Sequence, residues 1–185
     1  VLASPVKHLA IHSLPLESQQ SNHEVSFSIH TDDLVKNAVL LIDNLDSFTY
    51  NIAHDICGLG HHVNIVSGRD HSHHSAQELL EELQPSHVVL GPGPGWPQDS
   101  SLTMDFAKQA LEGNTPPLLG ICLGHQALGL ASGLDVVPSP IGPVHGTPVK
   151  CLHEGIGLFE GLGDLSMTRY NLSLIHISEP TRQLC

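Results

Sequence analysis

The residue in this chain best suited to covalent chemistry is Cys122, in the segment Leu118-Leu119-Gly120-Ile121-Cys122-Leu123-Gly124-His125-Gln126. A short apolar run leads into a cysteine with glycine two residues before and two after it, and a helix-compatible stretch begins at once. A nucleophile on such a turn is held in a strained conformation, which the flanking glycines permit because a Cβ there would clash. The sulfur then projects above a sheet rather than into the core. A helix N-terminus behind it favours the thiolate, lowering a pKa that starts at ~8.5. The backbone N–H of Leu123 can donate to an oxyanion developing on an attacked carbonyl. Pattern alone leaves a second reading open, a small buried cysteine that fills a strand end.

The run Gly91-Pro92-Gly93-Pro94-Gly95 follows another apolar stretch. A glycine-rich turn after a strand suggests phosphate binding, but alternating prolines remove the N–H groups that a phosphate cradle requires. What remains is a stiff loop in which Gly93 or Gly95 can bring its backbone close to a small ligand; the other reading is a rigid surface turn. Asp70-His71-Ser72-His73-His74 has metal-ligand residue types. So many ligands in so short a loop rarely all point inward, so a solvated loop is expected and no metal. His145 and His153 are expected to be structural, and Cys57 to lie in the core.

These residues must be positioned by a scaffold, and the chain spells one out. Val39–Ile42, His62–Ser67, Val88–Leu90 and Pro117–Ile121 read as strands. Between and after them, Phe48–Leu59, Ala76–Leu83, Leu102–Leu111 and Gly124–Ala131 read as helices. Wholly apolar strands alternating with helices imply an α/β fold, an open and mostly parallel sheet flanked by helices with right-handed crossovers. Ligands in such sheets sit beyond the carboxyl ends of the strands. After Ser132 the rhythm becomes β-rich, with short strands over Leu134–Val137, Pro148–Cys151 and Ser166–Arg169. Residues 1–37, rich in Ser, His, Gln and Asn, read as a leader or linker with little order, although Val25–Ile29 alternates like a strand.

Bulk properties narrow the function classes. The chain has 185 residues, and 7 basic against 19 acidic side chains give a formal charge of −12. Nucleic-acid and anionic-membrane surfaces need clustered Lys and Arg, so neither partner is expected. No apolar stretch approaches a membrane span. Four scattered cysteines form no disulfide framework. A reducing cytosol fits best, with an organellar stroma or matrix as the other compartment that composition allows.

Taken together, several runs resemble the class I glutamine amidotransferases, and more narrowly the amidotransferase components of anthranilate and aminodeoxychorismate synthases. They are Leu41-Ile42-Asp43-Asn44-Leu45-Asp46-Ser47-Phe48-Thr49-Tyr50-Asn51, Gly91–Gly95, Gly120–Gln126, Pro143-Val144-His145-Gly146, Gly157-Leu158-Phe159 and Arg169-Tyr170. The resemblance covers about Val39 to Tyr170 and implies a flavodoxin-like fold. It also implies that Cys122 attacks the side-chain amide of glutamine, releasing ammonia and leaving a γ-glutamyl thioester that water cleaves. The N–H groups of Leu123 and the Gly93 region would form the oxyanion hole. Gln126 would help to hold the substrate, with Gly93, Pro94 and Gly95 on its other side. No cofactor is implied. The implied partner is a chorismate-using synthase, fused or separate, and the choice between the two pathways lies in that partner.

The same resemblance exposes what is missing. The family supplies a base and an acid, His and Glu, from an F-H-P-E-S-like segment beyond its R-Y-x-S-L motif, and nothing here matches it. After Arg169-Tyr170-Asn171 the chain reads Leu172-Ser173-Leu174, displaced by one from the family's Ser-Leu. The remaining run departs from the family and is similar to adapter read-through at the ends of translated fragments. Residues 38–171 are therefore expected to be an incomplete amidotransferase domain, C-terminally truncated, and 172–185 a non-family tail. His176 and Glu179 have the wrong spacing to replace the absent pair, and His125 is expected to pack or cap rather than act as base. The competing reading is a catalytically incompetent module that retains fold and partner binding only.

Overall fold

Val39-Leu40-Leu41-Ile42 has no polar residue to turn towards water, so it must be covered on both faces, and it becomes the middle of a sheet. The computed structural model describes residues 11–14, 35–69, 75–171 and 173–176. They fall into two compact units, divided between Gly133 and Leu134. The first unit runs β1 (Ile11–Leu14), β2 (Val39–Asp43), α1 (Thr49–Gly58), β3 (Val63–Ser67), α2 (Ala76–Leu83), β4 (His87–Leu90), α3 (Ser101–Leu111), β5 (Leu118–Gly120) and α4 (Leu123–Ala131).

The sheet order is β1-β3-β2-β4-β5. The last four in that order are parallel, and β1 lies antiparallel on β3. The chain steps one way from β2 to β3 and the other way from β4 to β5, so the topological switch point falls between β2 and β4. A crevice opens there at the carboxyl ends of the strands. The loops that follow these two strands are Asn44–Phe48 and Gly91–Trp96, and β5 beside them delivers Cys122.

Strand residues alternate between two faces. Leu40, Ile42, Val66, Val88 and Leu90 pack with Leu79 and Leu83 of α2, Phe106 of α3 and Ala127 of α4. Val39, Leu41, Val63, Ile65 and Val89 pack with α1 through Ala53, Ile52, Ile56 and Cys57. Phe106 is fully buried, a burial worth about 1.5–3 kcal/mol relative to an exposed side chain. α2 begins with a capping box: Glu78 N donates to Ser75 Oγ at 3.2 Å and Ser75 N to Glu78 Oε2 at 2.9 Å. β5 is the sheet's outer strand among the described residues, and its Leu119 is 42% exposed.

The second unit is β-rich. β6 (Asp135–Pro138) pairs antiparallel with β9 (Ser173–His176), and β7 (Val144–Cys151) with β8 (Leu165–Asn171). β7 is longer than its sequence suggests because a bulge between His145 and Thr147, with Gly146 at φ 68°, carries the ladder on. Pro148 is tolerated in it because each strand of a two-stranded ribbon is an edge.

Within residues 1–37 the described stretch Ile11–Leu14 forms β1, and after residue 171 the stretch Ser173–His176 forms β9. The possible strand Val25–Ile29 and the Asp70–His74 loop lie outside the described residues. Among the described residues no helix is long and apolar enough to cross a membrane, and no group of His, Cys, Asp and Glu could hold a metal ion.

Candidate active site

Cys122 stands where β5 hands over to α4, with φ 52° and ψ −108°. A residue with a Cβ rarely occupies that region, and holding one there costs on the order of 1–3 kcal/mol. The glycines on either side make the turn possible. A Cβ on Gly120 would lie 2.7 Å from the Gly124 carbonyl oxygen, and one on Gly124 would run into the Leu90 carbonyl. The elbow is tied to the sheet by Ile121 N, which donates to Leu90 O at 2.9 Å. As a result Cys122 is exposed, unlike Cys57, which is half-buried against the α1 face of the core.

Two backbone N–H groups point at the Cys122 sulfur, that of Leu123 at the start of α4 and that of Gly93 across the crevice. Gly93 comes so close because it has no side chain: a Cβ there would collide with Asn44 Cβ and lie 2.6 Å from Asn44 O. Gly93 and Leu123 are thus brought together on one atom from strands β4 and β5. Pro94 and Gly95 continue the loop at the exposed rim, with Gly95 at φ 77°. Gln126 lies one turn into α4, its N–H donating to Cys122 O at 3.0 Å. His125 is exposed on the same helix.

The electrostatic balance differs from the expectation drawn from the helix terminus alone. Although the residue as a whole is exposed, the loops around its sulfur partly desolvate the thiol and push it above its ordinary pKa, and the Asp46 carboxylate pushes the same way. The N–H groups of Leu123 and Gly93 oppose them without reversing the direction. Asp46 was not singled out from sequence. It sits in the β2–α1 loop, where its Oδ1 accepts from Phe48 N at 2.8 Å. Among the described residues no imidazole figures among the groups that shift the thiol. His176 belongs to β9 in the second unit, and Glu179 lies outside the described residues.

His153 and His145 both make contacts within the second unit. His153 stacks on Phe159 at 5.0 Å between ring centroids and contacts Gly163 O through Nε2 at 2.9 Å. His145 meets Tyr170 edge to face at 6.0 Å.

An exposed cysteine at a strained strand–helix turn, with two convergent N–H donors at its sulfur, is built for acyl transfer. Comparison with known proteins bears on the family. A family profile described as "Glutamine amidotransferase class-I" matches residues 40–182 and so extends into the tail. The "Aminodeoxychorismate synthase component 2" of Serratia marcescens is 42% identical over 134 residues, 72% of this chain and 66% of that protein. The "Anthranilate synthase component 2" of Cyanophora paradoxa is 36% identical over 138 residues, 74% of this chain and 69% of that protein. This chain thus spans about two thirds of the length of such relatives. Among solved structures, a putative GMP synthase subunit from Thermoplasma acidophilum superposes with a TM-score of 0.61 at 21% identity, covering 77% of this chain and 67% of that one. A glutamine amidotransferase from Thermotoga maritima gives 0.58 at 17% identity, covering 78% and 64%. At those identities the structures speak for the fold, and the sheet with its flanking helices is theirs. By its elbow, its loops and the profile that spans most of its length, the chain belongs to the class I glutamine amidotransferases.

Proposed function

We propose that this chain is the greater part of a glutaminase component that supplies ammonia to a chorismate-using synthase, making either aminodeoxychorismate or anthranilate. The observation that carries the reading is the meeting of the Leu123 and Gly93 N–H groups at the sulfur of Cys122. The Cys122 thiolate attacks the γ-amide carbon of glutamine, and a C–S bond forms as the carbonyl oxygen takes up negative charge. That oxyanion lies between the two N–H groups, each preset donor being worth about 3–4 kcal/mol. Collapse breaks the C–N bond, ammonia leaves with a proton, and water cleaves the thioester to glutamate. Gln126, with Pro94 and Gly95 opposite, holds the substrate.

Partial desolvation and Asp46 raise the thiol's pKa, so the attack is served by a base, and the leaving nitrogen needs an acid. We assign both to the His and Glu of the family's missing segment. Residues 1–185 alone are accordingly expected to release no ammonia from glutamine at an enzymatic rate. Ammonia set free in water would be protonated and lost, so a closed interface with the synthase is part of the proposal.

The test uses the gene product continued to full family length together with its synthase. Cys122→Ser should abolish product formation from glutamine and leave formation from added ammonium unchanged. Equal loss with both nitrogen sources, or loss with neither, would overturn the assignment.

A further inference from the structure

The loop that carries Gly93 cannot hold itself in place. Pro92 and Pro94 have no N–H to donate, so the loop offers its neighbours mainly carbonyl oxygens. Two of these, on either side of Gly93, are taken by side chains from other crossovers. Asn44 Nδ2 donates to Gly91 O at 3.0 Å, and an Arg69 guanidinium N–H donates to Pro94 O. Asn44 is completely buried, as are Ser100 and Thr103 behind it. Its Oδ1 accepts from Thr103 Oγ1 at 2.9 Å, which fixes the amide so that its NH2 faces Gly91. Thr103 Oγ1 lies 2.8 Å from Ser100 Oγ, itself 2.9 Å from Gly68 O, next to Arg69. The polar chain therefore closes on itself: the β3–α2 turn that presents Arg69 is braced by the residues that orient Asn44. Gly93 lies between these two tied carbonyls, and its N–H is one of the two that act on the Cys122 thiol.

We propose that Asn44 and Arg69 are positioning residues for the oxyanion hole, clamping the Gly91–Gly95 loop so that the Gly93 N–H is aimed at the reacting carbonyl. This deepens the glutaminase reading and rests on it. The bland alternative is that the two groups merely satisfy buried carbonyls and support the fold.

The test compares two reagents on the 185-residue chain. Iodoacetamide reads only how much thiolate is present and how accessible it is. A chloroketone analogue of glutamine must also seat its carbonyl between the two N–H groups before the Cys122 sulfur displaces chloride, forming C–S and breaking C–Cl. Because both reagents need the thiolate, the ratio of their second-order rate constants cancels changes in ionisation. Arg69→Met should lower the chloroketone-to-iodoacetamide ratio by about tenfold or more, a fraction of the ~10²–10³ carried by a whole oxyanion donor. Arg69→Lys, which can still donate to one carbonyl, should restore the ratio to within about threefold, following the logic that one charge-assisted donor suffices there. Thr103→Val, similar in volume but without the hydroxyl that orients Asn44, should lower it in the same sense even if Arg69→Met folds poorly. An unchanged ratio in folded Arg69→Met and Thr103→Val, or equal slowing with both reagents, would overturn the proposal. A wild-type chain whose chloroketone labelling glutamine does not suppress would instead defeat the glutaminase reading itself.

Discussion

Replacing Cys122 by glycine should remove all reactivity at the site and yet make the first unit more stable. The residue sits at φ 52° and ψ −108°, where a Cβ costs on the order of 1–3 kcal/mol and glycine is at ease. Against that relief stands the extra backbone freedom of glycine in the unfolded chain, roughly 0.5–1 kcal/mol. The side chain is exposed, so little packing is lost. The net expectation is a stabilisation of about 0–2 kcal/mol. Cys122→Ala keeps the Cβ and hence the strain, and should match the wild type within about 0.5 kcal/mol, as other contact-free surface changes do. The informative quantity is the difference between the two variants, because Ala→Gly at an unstrained position is destabilising and here the sign should reverse. Urea unfolding followed by circular dichroism measures it, with equal slopes required so that midpoints report stability. If the glycine variant is less stable than the alanine variant by more than about 0.5 kcal/mol, the elbow is not strained and the argument from its geometry fails.

Three more expectations follow from named contacts. Burial and the Asp46 charge raise the thiol's pKa, so alkylation of Cys122 by iodoacetamide should climb with pH through a midpoint above that of a free cysteine. Asp46→Asn, which keeps the acceptor for Phe48 N, should move that midpoint down; no movement, or a rise, would remove Asp46 from the site. Gly124→Ala would press a methyl group into the Leu90 carbonyl, and a loss of about 1–3 kcal/mol or more is expected from urea midpoints. Ser75→Ala breaks the capping box of α2 and should cost about 1 kcal/mol, with Ser75→Asp close to wild type in the same assay.

Much of the scaffold was legible because its signals are local. The apolar run at Val39–Ile42 announced a strand covered on both faces, and Gly120, Cys122 and Gly124 announced the elbow. The helix at Ala76–Leu83 could be read to the residue. What escaped depends on partners distant in the chain. Nothing in Ile-His-Ser-Leu at residues 11–14 marks a strand until β3 offers its edge. The thiol's raised pKa comes from its burial and from Asp46, which arrives from the β2–α1 loop, while sequence reasoning saw only the helix beginning at Leu123. Asn44 and Arg69 were invisible as positioning groups for the same reason: their acceptors, Gly91 and Pro94, lie on a third loop.

The central claim is that Cys122 is presented to a glutamine-shaped ligand between two backbone donors, and peptide mapping after chloroketone treatment tests it most directly. The account predicts that the label falls on Cys122 in preference to Cys57, Cys151 and Cys185, and is suppressed by L-glutamine but not by D-glutamine. Labelling spread evenly over the four cysteines, or indifferent to L-glutamine, would contradict it.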